Sequence, residues 1–164
     1  MEYISRSPEA TQEAAKLLVE QLLAREHLPG TATVVSLSGE LGAGKTVFVK
    51  GVARALGLTA EITSPTYVIE KIYDLNDGEA QGAGGEERAE RMFDRLVHLD
   101  AYRLESADEL AAIGWHELLT NPKHLVFIEW PEMVAAVLPW RTIEVAITPQ
   151  DDASRRVSIN ETNI

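Results

Sequence analysis

Thr33-Val34-Val35-Ser36-Leu37-Ser38-Gly39-Glu40-Leu41-Gly42-Ala43-Gly44-Lys45-Thr46-Val47-Phe48 is the stretch on which the fold turns. Thr33 to Leu37 is short, apolar and β-branched, which reads as a buried strand. Gly39 to Thr46 fits G-x-x-x-x-G-K-[ST] at every fixed position. Thr46 to Leu56 then reads as a helix that Gly57 stops. A triphosphate must be neutralised without bulky side chains. In such a loop glycines let successive backbone N–H groups turn inward, and the helix N-terminus adds partial positive charge. Lys45 is placed to reach the β and γ phosphates, and the Thr46 hydroxyl to complete the oxygen shell of a Mg²⁺ ion.

Working outward, Ser7-Pro8-Glu9 opens a helix that is expected to run to about Glu26, with Ser7 as cap and Pro8 at the first helical position. Ala14, Leu18 and Leu22 form its stripe, with Leu17 and Leu23 beside them. Thr66 to Tyr73 reads as a strand after the turn Thr63-Ser64-Pro65. Leu96 to Asp100 and Leu125 to Glu129 are two further apolar runs, each ending in an acid. Between them Ser106 and Glu109 make a capping box for a helix that Gly114 stops. Trp130-Pro131 ends the second run, and a short helical turn follows around Glu132 to Val137. Thr142 to Ile147 and Arg156 to Ile159 read as a C-terminal hairpin. The expectation is one α/β domain over residues 1–164, a three-layer P-loop NTPase-like fold with a mostly parallel sheet and a C-terminal antiparallel hairpin.

Composition narrows the function. The 164 residues are 45% hydrophobic and 25% charged, an ordinary globular balance for one domain. A formal net charge of −11 gives no positive field to hold a phosphate backbone, so tRNA or other nucleic acid is not expected to bind directly. The absence of cysteine removes thiol nucleophiles and Cys-type zinc sites. Met1 to Arg25 carries four acids and no apolar signal core, and no run of about 18 apolar residues occurs, so a soluble cytoplasmic protein with no membrane contact is expected. Residues 74–94 differ from the rest. Seven acids stand there against Arg88 and Arg91, with Gly78, Gly82, Gly84 and Gly85 in the middle. This segment reads as a mobile surface insertion without a core stripe, holding a short helical turn near Glu86 to Met92.

Asp100 and Glu129 both fall at strand carboxyl ends, on the edge where α/β sheets bind ligands. Either is a candidate for the metal-side carboxylate, against the plainer reading of a helix cap. Thr63, Ser64 and Thr66 are placed to sense a γ-phosphate or to be a simple turn. His98 shares strand parity with Asp100, and a satisfied core histidine is favoured there over a ligand. Arg103 has two readings, transition-state charge stabilisation or surface pairing with Glu105 or Asp108, and the residues alone favour pairing. Trp130 stands evenly between walling the nucleotide site and packing.

Leu41-Gly42-Ala43-Gly44-Lys45-Thr46, Ser64-Pro65-Thr66-Tyr67, His98-Leu99-Asp100-Ala101-Tyr102-Arg103 and Ile128-Glu129-Trp130-Pro131 occur in the order and approximate spacing of the TsaE (also YjeE) family, and the resemblance covers roughly Ser7 to Ile147. It implies a small P-loop ATPase needed for threonylcarbamoyladenosine modification of tRNA, using ATP and Mg²⁺ and acting with the TsaD and TsaB pair. It also implies that Thr46 and Glu129 hold Mg²⁺, that Asp100 is needed for hydrolysis, that Trp130 lies near the nucleotide and that Thr11 lies near the adenine. The nucleotide-binding set is then Thr11, Gly39, Glu40, Leu41, Gly42, Ala43, Gly44, Lys45, Thr46, Val47 and Trp130, with Asp100, Lys45 and Arg103 catalytic. Residues 74–94, and Tyr67 where Phe is also common, depart from the family pattern. A small-molecule P-loop kinase is the competing class. Its arginine lid would have to come from Arg88, Arg91 and Arg95, beside which Glu86, Glu87 and Glu90 repel phosphate. A nucleotide-gated binding module with negligible turnover is the third.

Loop-closure entropy changes by only about 0.6 kcal/mol per doubling of loop length. Deleting residues 78–85 is therefore expected to alter unfolding free energy by about 1 kcal/mol or less. A loss of several kcal/mol in denaturant melts would show that the segment packs onto the core.

Overall fold

The computed structural model describes residues 1–25, 30–65, 68–76 and 92–161. Seven strands, β1 (Glu2–Ser5), β2 (Thr33–Ser38), β3 (Glu70–Asp74), β4 (Arg95–Asp100), β5 (His124–Glu129), β6 (Ile143–Pro149) and β7 (Arg155–Glu161), form one sheet in the order β1-β7-β6-β2-β5-β4-β3. The centre, β6-β2-β5-β4, is parallel, and both flanks are antiparallel. The expected C-terminal hairpin is β6–β7. Period-2 alternation along β5 sends Leu125 and Phe127 to one face and Val126 and Ile128 to the other. Helices α1 (Pro8–Leu23) and α2 (Lys45–Ala55) cover the first face. The second is covered by α3 (Asp108–Ala112), α4 (Trp115–Leu119) and a 3-10 helix over Pro131–Val137. Three layers result, as the sequence predicts. Among the described residues no helix is long and apolar enough to cross a membrane.

Helix α1 begins where expected, with the Ser7 hydroxyl accepting the Ala10 N–H at 3.1 Å. Ala15 and Val19 complete its buried stripe, whereas Leu17 and Leu23 are exposed. The helix ends at Leu23, and Glu26 lies outside the described residues. Helix α1 crosses α2 at Gly51, where an added Cβ would stand 2.6 Å from the Gln12 Cα and 2.8 Å from the Ala15 Cβ. Only a residue without a side chain lets the two helices come this close.

Several expectations change. The strand expected over Thr66 to Tyr73 starts at Glu70. The Pro65 carbonyl accepts the N–H groups of both Val68 and Ile69 at 2.8 Å, so the turn extends through Ile69, whose φ is +66°. This local bonding overrides the β-propensity of Val68 and Ile69; Thr66 and Tyr67 lie outside the described residues. Gly114 ends one helix, as expected, and also opens a second. Its left-handed φ of +82° turns the chain so that Trp115 and Leu118 of α4 face the sheet. Half of the expected capping box forms, since Glu109 Oε1 accepts the Ser106 N–H at 3.2 Å. Strand β1 carries no strong pattern in its four residues and is formed by pairing with β7.

Most of the acidic segment, including Glu86 to Arg91 where a helical turn was expected, lies outside the described residues. Its two ends, however, belong to the core. Leu75 and Phe93 are buried with the α1–α2 layer, and the Leu75 N–H bonds the Asp94 carbonyl at 2.8 Å.

Gly51→Ala should destabilise the protein by about 1–3 kcal/mol in urea melts, because the added methyl overpacks backbone against backbone. Alanine is by itself the better helix former by about 1 kcal/mol. A neutral or stabilising result would therefore show that the helices separate without cost.

Candidate functional site

The chain leaves β2 at Ser38 and must pass the end of β6, where a Cβ on residue 39 would sit 2.6 Å from the Ile147 carbonyl oxygen. Glycine is required at that step. Gly42 and Gly44 follow with φ of +81° and +111°, and the loop then enters α2 at Lys45. The Lys45 side chain is buried and folds back, its Nζ donating to the carbonyls of Gly39 at 2.7 Å and Glu40 at 3.2 Å. The same ammonium lies 4.3 Å from the Trp130 ring centroid, a cation–π distance.

Trp130 reaches that position through its backbone. Its φ of +58° and ψ of +53° are left-handed, which is costly for a residue with a Cβ and persists only when its surroundings fix it. Here the Trp130 N–H is held by the Leu37 carbonyl at 3.3 Å, and the indole packs against Tyr102 with ring centroids 4.9 Å apart. The abrupt turn after β5 thus lays the indole between Lys45 and Tyr102.

The acids are set by register. In the parallel pairing of β4 with β5, Asp100 stands opposite Glu129, and across β5 Leu37 of β2 pairs with Glu129. Both residues are buried, each 4% exposed, at the carboxyl edge of the sheet beside the loop. Glu129 Oε1 accepts the Thr46 hydroxyl at 3.4 Å and lies 2.8 Å from His98 Nε2. Asp100 Oδ1 accepts the Tyr102 N–H at 2.9 Å, which fixes the turn leaving β4.

Leu41 to Val47, Ser64, Asp100, Tyr102, Glu129 and Trp130 together line a cavity of about 500 Å³. Of the residues singled out in the sequence, the cavity gathers Leu41, Gly42, Ala43, Gly44, Lys45, Thr46, Val47, Ser64, Asp100, Glu129 and Trp130. Gly39 and Glu40 stand behind it and contribute carbonyls to Lys45. Thr11 is buried at the start of α1, its hydroxyl 2.7 Å from that of Ser5, outside this lining. Arg103 is exposed and likewise outside it. Two residues gain importance. Tyr102 contributes a wall, and His98 is bonded to Glu129; the parity of His98 with Asp100 was visible, but not its reach across to β5.

Thr46 and Glu129 offer a hydroxyl and a carboxylate, hard oxygen donors suited to Mg²⁺. Among the described residues no group of three or more His, Cys, Asp or Glu could hold a metal ion by itself.

The family model for "Threonylcarbamoyl adenosine biosynthesis protein TsaE" matches residues 5–157. The chain belongs to the TsaE family. Among curated members, the tRNA threonylcarbamoyladenosine biosynthesis protein TsaE of Treponema pallidum is 36% identical over 77% of this chain and 81% of its own. That of Bacillus subtilis is 34% identical over 93% of this chain and 80% of its own. Among solved structures, Bacillus subtilis YdiB superposes with a TM-score of 0.66 at 26% identity, covering 99% of this chain and 86% of that one. As a TsaE family member, the protein falls within tRNA threonylcarbamoyladenosine biosynthesis.

Proposed function

We propose that the protein is a Mg²⁺-dependent ATPase that drives the TsaD–TsaB complex through its cycle of threonylcarbamoyl transfer to tRNA, with little turnover of its own. The observation that carries this reading is the convergence of Lys45, Thr46, Asp100 and Glu129 on one cavity beside a complete phosphate loop. ATP lies with its phosphates over the glycine loop, where the backbone N–H groups and the start of α2 offset their charge. Lys45 exchanges its contacts to Gly39 and Glu40 for phosphate oxygens, gaining charge-assisted hydrogen bonds. Thr46 and Glu129 hold Mg²⁺, which neutralises phosphate charge when bound. Asp100 orients water for in-line attack at the γ-phosphorus, giving ADP and phosphate. Trp130 and Tyr102 wall the site.

The cavity-lining groups are assigned here to phosphate, metal and water, and among the described residues that line the cavity no second constellation is left for the acceptor that a kinase requires. The segment from Asp100 to Arg103 leads out of the site to the exposed surface, where it can read the γ-phosphate for a partner. Arg103 acts once the TsaD–TsaB complex is bound. With a net charge of −11 the chain leaves tRNA contact to those partners.

Phosphate release from ATP should be slow for the protein alone and rise about tenfold or more when TsaD–TsaB is added. The complex should bind more tightly with ATP than with ADP. Lys45→Ala should lower ATP affinity by roughly 10- to 100-fold, the worth of hydrogen bonds to a charged group, while the circular-dichroism spectrum stays unchanged. Arg103→Ala should reduce stimulated turnover far more than ATP affinity. Equal complex affinity with ATP and ADP, together with no stimulation, would reject the mechanism in favour of a kinase.

A further inference from the structure

The protein holds two buried histidines on its central strands, and their surroundings differ. His124, at the start of β5, uses both ring nitrogens: Nδ1 lies 3.0 Å from the Leu118 carbonyl and Nε2 3.1 Å from the Asn121 amide nitrogen. It is a satisfied structural residue. His98 is fully buried on β4, and its Nδ1 has no hydrogen-bond partner among the described residues. Its one hydrogen bond among them runs from Nε2 to Glu129 Oε1, at 2.8 Å. A buried ring nitrogen without a partner costs free energy, and apolar residues fill the neighbouring positions Leu96, Val97 and Leu99 on the same strand. A histidine that only filled the core would be replaceable by leucine at a gain.

We propose that His98 is a positioning residue for Glu129: it donates Nε2–H to Oε1, pinning the carboxylate so that it addresses Thr46 and the metal beside the phosphate loop. This rests on the reading of Glu129 as a Mg²⁺ ligand. A carboxylate only accepts, so the proton of this hydrogen bond sits on Nε2, and Nδ1 is the ring nitrogen left without a partner among the described residues. The donor matters because Glu129 has few other restraints. The Thr46 hydroxyl is 3.4 Å from the same oxygen, and that hydroxyl must turn toward the cation when it becomes a ligand. Without His98 the carboxylate would lose its short contact and adopt other rotamers at the moment the metal arrives. Outer partners that orient ligating groups in this way are typically worth about 10- to 100-fold in metal affinity.

The test reads ADP binding by calorimetry over a Mg²⁺ titration, which needs no turnover. His98→Leu should raise the Mg²⁺ concentration for half-maximal enhancement about tenfold, with metal-free ADP affinity changed less than about twofold. His98→Gln, whose amide nitrogen offers a donor at a similar reach, should recover most of the loss. An unchanged Mg²⁺ requirement in His98→Leu, or a glutamine variant as poor as leucine, would overturn the proposal. Nitrogen-15 NMR of the imidazole in the unsubstituted protein decides the matter without any variant: a proton on Nε2 is expected, and a bare Nε2 overturns the assignment. Glu129→Gln separates this from the underlying reading. If it leaves the Mg²⁺ requirement unchanged, Glu129 is not the ligand; if it shifts the requirement and His98→Leu does not, only the role of His98 fails.

Discussion

Everything at the candidate site depends on the parallel register of three strands. Leu37, Glu129 and Asp100 are held side by side by the ladders joining β2, β5 and β4. Side chains alternate along a strand, so a slip of one residue would turn Glu129 away from Thr46 and carry Leu125 and Phe127 out of the core they share with α1 and α2. The burial of all six residues of β5 forbids that slip. The placement of two carboxylates beside a phosphate loop is thus enforced by hydrophobic packing well away from them.

The glycine loop depends on the same framework. Residue 39 must be glycine to pass the Ile147 carbonyl because β6 lies beside β2, and it is β6 that the C-terminal hairpin secures through β7. Strands far apart in sequence therefore shape a motif that reads as local. This explains why the motif was legible while part of its support was not. The loop, the two acid-ended strands and the hairpin declare themselves through spacing and periodicity, because each is a property of neighbouring residues. Strand β1 does not, since pairing with β7 creates it. The register of Asp100 with Glu129 and the reach of His98 across to β5 are likewise absent from a linear reading. So is the burial of Leu75 and Phe93 at the two ends of an acidic, glycine-rich stretch, where composition speaks for the middle and packing decides the ends.

The two faces of the sheet are built differently. Helices α1 and α2 have 16 and 11 residues and interlock at Gly51, whereas α3 and α4 have five residues each. Helices of five residues have no stability of their own and exist only while Leu110, Trp115 and Leu118 stay packed on the sheet. That thinner layer receives the chain directly from Asp100 through the buried residues Ala101 and Leu104. Opening free energy is therefore expected to be unevenly shared, with amide hydrogens of α3 and α4 exchanging through small local excursions and those of α2 through larger ones. The glycine loop is anchored to the face built from long helices, and the segment that leaves the two acids belongs to the face built from short ones.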